Sequence, residues 1–167
     1  MKKAVLLAVL AGAPWFSGLA LAVAPSPSSS HSHEHHAAHA DAGHLQLNNG
    51  QKWPTDAPLR SAMERLNKAF AARHEAIHRG KLSKGQYAEL AATVEAEVAG
   101  ILAECKLEPA ADAQLHLVIG ELVVGWDAMV GKRKGMSPRQ GAETVVKALD
   151  SYGRFFDHPG WSGARHL

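Results

Sequence analysis

The chain has 167 residues, of which 46% are hydrophobic and only 6% aromatic, a size that fits one domain plus a tail. It carries 18 basic and 16 acidic residues, and setting aside Lys2 and Lys3 at the N-terminus makes the two counts equal. This balance removes any electrostatic argument for binding nucleic acid or an anionic membrane. The single cysteine cannot form an intramolecular disulfide or a zinc site of two or more thiolates.

Residues 1–24 have the plan of a secretory signal peptide, with a basic start, an apolar run and small residues before cleavage after Ala22 or Ala24. An uncleaved membrane anchor is the alternative, because the run is close to spanning length, but Pro14 and Ser17 weaken it. We therefore expect export to the periplasm and no association with the membrane after cleavage.

Residues 25–50 form a segment rich in Pro, Ser, Ala and His without apolar periodicity, so we expect a disordered tail. Six imidazoles occur here within 14 residues: His31, His33, His35, His36, His39 and His44. Imidazole suits Zn²⁺, Cu²⁺ and Ni²⁺, with copper favoured by intrinsic affinity. The sequence thus predicts a copper or zinc site in the tail. A His-rich solvating linker is the alternative, and irregular spacing directly after a leader argues against a purification tag.

Four helical segments are predicted within a domain spanning 51–162. Asp56 caps the first helix, Pro58 lies in its first turn and Gly80 ends it. Its apolar residues recur at steps of three and four: Leu59, Met63, Leu66, Phe70, His74 and Ile77. Ser83 and Gln86 form a capping box for the second helix. Its apolar stripe consists of Tyr87, Leu90, Val94, Val98, Ile101 and Cys105.

The third helix opens with Pro109 and Asp112, and the fourth with Ser137 and Pro138, ending before Pro159. The two stripes are Leu115, Ile119, Leu122, Trp126 and Met129, and Ala142, Val145, Leu149, Tyr152 and Phe156. No segment shows sustained alternation of period two, and the connections are short. The sequence therefore predicts an all-α fold, and within that class an up-down-up-down four-helix bundle of amphipathic helices.

Up-down alternation would bring the starts of the first and third helices and the ends of the second and fourth to one end of the bundle. That end would contain Trp53, Met63, Cys105, His116, His158 and Trp161. Its thioether, thiol and two imidazoles suggest a second metal site selective for Cu⁺. The alternative is that all four are structural. Met63 would then fill the core and Cys105 would be a small buried hydrophobe. His116 would bond a carboxylate, and His158 would cap a helix C-terminus.

His74 and His78 lie four residues apart on one helix face, a spacing that lets two imidazoles share a metal. The alternative interpretation is a partly buried pair at a helix end. The intervening residues do not form the His-Glu-x-x-His motif of metalloproteases.

Residues 61–67, Ser-Ala-Met-Glu-Arg-Leu-Asn, are similar to the first-helix motif of cytochrome b562, in which a methionine ligates haem; here it is Met63. Residues 116–127 and 148–155 resemble its last two helices. The resemblance implies a haem-ligating histidine after Tyr152, where this chain has Gly153, and His158 is the nearest substitute. No Cys-x-x-Cys-His motif for covalent haem is present.

Residues 49–60, 105–116 and 156–161 resemble more closely a group of small exported proteobacterial proteins labelled DnrO-like. That resemblance covers roughly residues 47–161. It implies a periplasmic, metal-associated protein, and it supplies no catalytic residue.

The sequence as a whole predicts a periplasmic copper- or zinc-binding protein that is not an enzyme, since it shows no nucleophile–base–acid set, no paired carboxylates at a shared end and no phosphate loop. Two alternatives stay open. One is a b562-like haem-binding electron carrier, with Met63 and either His116 or His158 as axial ligands. The other is a structural or adaptor bundle that binds another protein.

Overall fold

A computed structural model describes residues 43–164 of the chain. The predicted signal peptide and most of the predicted tail, including His31, His33, His35, His36 and His39, lie outside the described residues. Within 43–164 the structure has five helices and no strand, which confirms the all-α prediction. The helices are α1 (Ala57–Ala71), α2 (His74–His78), α3 (Lys84–Glu104), α4 (Pro109–Met129) and α5 (Pro138–Phe155).

The helices begin where their capping residues predict. The Asp56 side chain accepts a hydrogen bond from the Leu59 amide at 2.9 Å. Ser83 and Gln86 form the predicted capping box at the start of α3. A second capping box, between Ser137 and Gln140, precedes α5. Each cap satisfies amide groups that a helix start leaves without intrahelical partners, which is why these boundaries could be predicted.

The prediction of one continuous first helix is wrong. The chain turns at residues 72–73, so that two helices, α1 and α2, take the place of one. The Arg73 amide bonds the carbonyl of Phe70, three residues back, instead of continuing the α-helical pattern. The turn lets α2 pack on α5 and buries Ile77. The spacing of apolar residues is the same on both sides of the turn, so the periodicity could not reveal it. Gly80 then ends α2 with a backbone φ of +63°.

The apolar stripes of the long helices meet in one core within the described range. α4 packs most extensively on α5, and α3 packs on both α1 and α4. Gly125 and Gly141 permit the close approach of α4 and α5: a Cβ atom on Gly141 would lie 2.6 Å from the carbonyl oxygen of Gly125. None of the described helices is long and apolar enough to cross a membrane.

The segment before α1 runs beside the segment that follows α5. The Trp53 amide donates to the Phe155 carbonyl at 2.8 Å, and the Asp157 amide donates to the Trp53 carbonyl at 2.8 Å. The Lys52 ammonium donates to the Gly153 carbonyl at 2.7 Å. We call these three hydrogen bonds the clasp. They join the two ends of the region from α1 to α5, residues 57–155, which we call the helical body.

Residues 45–50 are also held against the helices, although the sequence assigns them to the tail. The Gln46 amide donates to Gln114 Oε1 on α4 at 2.8 Å, and Leu45 packs against the core. The Trp53 indole donates to the Gln46 carbonyl at 2.6 Å. Residues 45–50 are therefore part of the folded helical region, and His44 directly before them is exposed. The local sequence could not predict that residues 45–50 are held against the helices, because a partner such as Gln114 lies 68 residues away in the sequence.

Candidate functional site

Three polar side chains form a hydrogen-bonded chain at the end of the body where α1 meets the segment after α5. His158 Nδ1 lies 2.9 Å from the hydroxyl of Tyr152, and its Nε2 lies 3.0 Å from Glu64 Oε1. Tyr152 is fully buried, the His158 side chain is 2% exposed and that of Glu64 is 66% exposed. We call these residues the His158 cluster. Its imidazole links a hydroxyl buried in the core to a carboxylate exposed to solvent.

The local sequence explains how His158 reaches this position. Tyr152 belongs to the apolar stripe of α5, and the chain turns after Phe156 so that His158 folds back over it. Trp161 covers the turn, with its ring centroid 4.9 Å from that of Tyr152 and 5.0 Å from that of His158. The imidazole is therefore held by aromatic contacts as well as by hydrogen bonds, which fixes its orientation.

Trp161 also occupies the space beside Gly153. A Cβ atom on Gly153 would lie 2.3 Å from the indole nitrogen, closer than atoms can approach. Glycine is thus required for the indole to pack here. This is the position at which the cytochrome b562 resemblance expects a haem-ligating histidine.

The protonation of the cluster follows from its partners. With a neutral imidazole, Tyr152 O–H donates to Nδ1, and Nε2–H donates to the Glu64 carboxylate. Burial raises the pKa of Tyr152 above its ordinary value, while the charge of Arg60 acts in the opposite direction. The phenol therefore stays protonated at neutral pH and remains available as a hydrogen-bond donor.

A cavity of about 360 Å³ opens beside His158. It is lined by Glu64, Asn67, Lys68, His158, Gly160, Trp161 and Ser162. Asn67 is only 6% exposed, and its Oδ1 atom has no hydrogen-bond partner. Leaving a buried amide oxygen without a donor costs about 1–3 kcal/mol.

Cys105 lies near this end of the body but has a different partner. Its Sγ atom is 3.6 Å from Asp56 Oδ1, and the Lys106 amide donates to Asp56 Oδ2 at 2.7 Å. Burial, and then the negative charge of Asp56, raises the pKa of the Cys105 thiol to about 12. The thiol is protonated at neutral pH, and a metal ion would have to displace that proton to bind the sulfur.

Asp56 therefore connects the start of α1 to the residues that follow α3. The clasp brings the end of α5 to the same region.

The remaining two candidates for the Cu⁺ site lie elsewhere in the packing. Met63 is fully buried in the apolar core. His116 is exposed on α4, where its Nδ1 lies 2.9 Å from the Asp112 carbonyl oxygen. No hydrogen bond or ion pair joins any two of Met63, Cys105, His116 and His158. Each polar member has its own nearby partner, so the structure does not assemble the four as one ligand set.

Within residues 43–164, no group of three or more His, Cys, Asp or Glu side chains converges to hold a metal ion. His74 and His78 stack with ring centroids 6.5 Å apart. They line a second cavity, of about 260 Å³, together with Glu143 and Asp150. The pair provides two imidazoles on one face.

Sequence reasoning did not find Glu64 or Asn67, and it assigned Tyr152 to the core alone. Glu64 and His158 are 94 residues apart, so no local pattern links them. Glu64 and Asn67 are three residues apart on α1 and beside Met63, and this spacing is the one signal that they share a surface.

No model of a known protein family, no curated protein and no solved structure matches the chain. The resemblances to cytochrome b562 and to the DnrO-like proteins therefore stay predictions.

Proposed function

We propose that this chain is a periplasmic copper- or zinc-binding protein without enzymatic activity, related to the small exported DnrO-like proteins. In this proposal residues 1–24 are a cleaved signal peptide, the His-rich tail supplies the metal ligands, and an up-down-up-down four-helix bundle carries the tail. The observation that carries the proposal is the presence of six imidazoles within 14 residues, between His31 and His44, directly after the leader. Several imidazoles this close together in the sequence supply the nitrogen ligands that suit a copper or zinc ion.

The helical body supports a carrier role. Leu45 packs against the core and the Gln46 amide donates to Gln114, so the chain is held against the helices directly after His44. His44, the first tail imidazole before that point, is exposed. The thiol of Cys105 is protonated at neutral pH and gives no support for nucleophilic catalysis.

The alternative of a haem carrier has less support. Met63 is fully buried among apolar side chains, and the Trp161 indole fills the space at Gly153 where the resemblance expects an imidazole. An adaptor bundle is the interpretation that would stand if the protein bound no metal.

The test measures the number of Cu²⁺ and Zn²⁺ ions bound by the full chain and by a variant in which all six tail histidines are replaced by Asn. We expect the wild type to bind more than one ion and the tail variant to lose most of that capacity. Binding should weaken as the pH falls through about 6.5, where imidazoles become protonated.

A matched control replaces three histidines of the body, His74, His78 and His116, by Asn and should keep most of the capacity. Equal uptake by the wild type and the tail variant would show that the tail is not the site.

A further inference from the structure

We propose that one end of the helical body is a docking surface for a bilayer that contains anionic phospholipids. The surface consists of residues 79–84, between α2 and the start of α3, and residues 130–139, between α4 and the first turn of α5. We call it the basic end. Its seven basic residues are all exposed except where noted below as ion-paired: Arg79, Lys81, Lys84, Lys132, Arg133, Lys134 and Arg139. The proposal goes beyond metal binding, because it requires neither a metal ion nor a tail imidazole.

Contacts between the helices bring the two segments of the basic end together. A Cβ atom on Gly80 would lie 3.5 Å from the Cδ atom of Arg139, so the connection from α2 to α3 packs beside the start of α5. A Cβ atom on Gly141 would lie 2.9 Å from the amide nitrogen of Met129, so the start of α5 also lies against the last turn of α4. The basic side chains of both segments therefore share one end of the helical body.

The charge of the basic end is not cancelled by its neighbours. Its two segments contain none of the 16 acidic residues of the chain. Three of its cations pair with acidic residues that flank the segments: Arg79 with Glu75, Lys132 with Asp127 and Arg139 with Glu143. Among the described residues, no ion pair involves the other four, which are Lys81, Lys84, Arg133 and Lys134. Four exposed positive charges are therefore available to a partner.

The total charge of the chain conceals this asymmetry. The 18 basic and 16 acidic residues nearly cancel, and on that count alone the sequence predicts no attraction to an anionic membrane. At the other end of α3 and α4, acidic residues predominate, with Glu104, Glu108 and Asp112 around the single basic residue Lys106. An uneven distribution of this kind turns the basic end toward a negatively charged surface.

The chemistry of the basic end favours lipid headgroups. Lysine ammonium groups bind phosphate as point charges and require no fixed geometry, which suits a fluid lipid surface. The two segments contain no Phe, Trp or Tyr, so they lack the aromatic side chains on which single-stranded nucleic acid stacks. Val130, which is 42% exposed, adds an apolar contact beside the charges. The choice of a lipid partner rests on the proposed export, because anionic phospholipid is a surface that an exported protein meets.

The experiment measures binding of the processed chain, residues 25–167, to sedimenting vesicles, because an uncleaved apolar leader would enter a bilayer by itself. The vesicles contain phosphatidylglycerol and phosphatidylcholine in equal amounts, or phosphatidylcholine alone, and a chelator removes metal ions. We expect binding to the anionic vesicles that weakens as sodium chloride is added, and no binding to the neutral vesicles. Equal binding to both kinds of vesicle, or no binding to the anionic vesicles at low salt, would overturn the proposal.

Two variants of equal net charge locate the surface. The test variant replaces the four unpaired cations of the basic end: Lys81→Gln, Lys84→Gln, Arg133→Gln and Lys134→Gln. The matched control replaces four exposed cations elsewhere: Lys68→Gln, Lys106→Gln, Lys147→Gln and Arg154→Gln. We expect the test variant to bind the anionic vesicles at least about tenfold more weakly than the wild type, and the control to lose about twofold at most. Equal losses in the two variants would overturn the proposal, because net charge alone would then explain the binding.

Further measurements separate lipid from other anions. Inorganic phosphate should displace the protein from the vesicles no better than sulfate at equal ionic strength, and a specific effect of phosphate would overturn the proposal in favour of a site for the free ion. Binding of the wild type to DNA but not to anionic vesicles would assign the basic end to nucleic acid instead. Failure of the metal proposal would leave these results unchanged, because a chelator is present throughout.

Discussion

Asp56 binds three groups with one carboxylate. It accepts hydrogen bonds from the Leu59 amide that starts α1, from the Lys106 amide and from the Cys105 thiol after α3. Its partial burial works against the charged form, but these hydrogen bonds prevail and lower the pKa of Asp56 below its ordinary value of 3.8. The carboxylate therefore stabilises the folded state when it is ionised.

The pH dependence of this stabilisation can be predicted. Because the folded pKa is depressed, the contribution is present above about pH 4 and is lost as the pH falls through the folded pKa. Asp56→Asn retains a good helix cap but loses the charge. We expect it to lower the free energy of unfolding at pH 7 by about 1 kcal/mol. Urea unfolding should give converging values for variant and wild type below pH 3, and a constant difference would contradict the argument.

Cys105 should be unreactive in the folded protein. A pKa of about 12 leaves very little thiolate at pH 8, whereas an unfolded chain has the ordinary thiol pKa of about 8.5. We expect alkylation by iodoacetamide to be at least about 100-fold slower in buffer than in urea. Asp56→Asn should increase the folded-state rate, because it removes a negative charge beside the sulfur. Equal rates in folded and unfolded protein would show that the thiol is accessible and ionises normally.

At the scale of the helices, the contact of α4 with α5 depends on Gly125 and Gly141. A methyl group on residue 141 would meet the Gly125 carbonyl at 2.6 Å and the Ala128 Cβ at 2.8 Å. We expect Gly141→Ala to lower the free energy of unfolding by roughly 1–3 kcal/mol, because the two helices must move apart.

The matched control is Gly120→Ala on α4, where nothing lies within 4 Å of the added carbon. That change should stabilise the protein by about 0.5–1 kcal/mol through helix propensity alone. Urea midpoints of the two variants should therefore move in opposite directions. If both substitutions raised the urea midpoint, α4 and α5 would be able to accommodate the added methyl group at residue 141 without cost.

Helix starts and buried stripes could be predicted because they depend on residues three or four apart. Ser83 with Gln86 and the stripe from Leu59 to Phe70 are of this kind. The turn at Arg73 could not be predicted, since it is stabilised by the packing of α2 on a helix some 70 residues later. The candidate site was partly predictable for the same reason: His158 was identified by residue type, whereas its partner Glu64 is known only from tertiary contact.

At the scale of the whole molecule, the chain before Leu45 and the chain after it should contribute differently to stability. Removing residues 23–44 should leave the melting temperature of the metal-free protein nearly unchanged. Removing residues 23–53 also deletes the clasp, including two backbone hydrogen bonds worth about 1 kcal/mol each. We expect that longer deletion to lower the melting temperature by about 5–10 °C.

Calorimetry of the two truncated chains in the presence of a chelator provides the measurement. A large decrease with the shorter deletion would show that the His-rich segment packs on the body. No decrease with the longer deletion would show that the clasp is energetically neutral.

The clasp also changes the connectivity of the folded molecule. Trp53 and Phe156 pair directly, so the intervening 102 residues form a closed ring in which non-covalent bonds replace one link. Closing a ring of that length costs about 4 kcal/mol of chain entropy, which packing of the helices must offset. A single cut in the exposed loop between Gly131 and Gly135 would then release neither fragment, because the pieces stay joined at the clasp. The same ring makes that loop the natural place to open new termini in a circularly permuted chain whose present ends are linked.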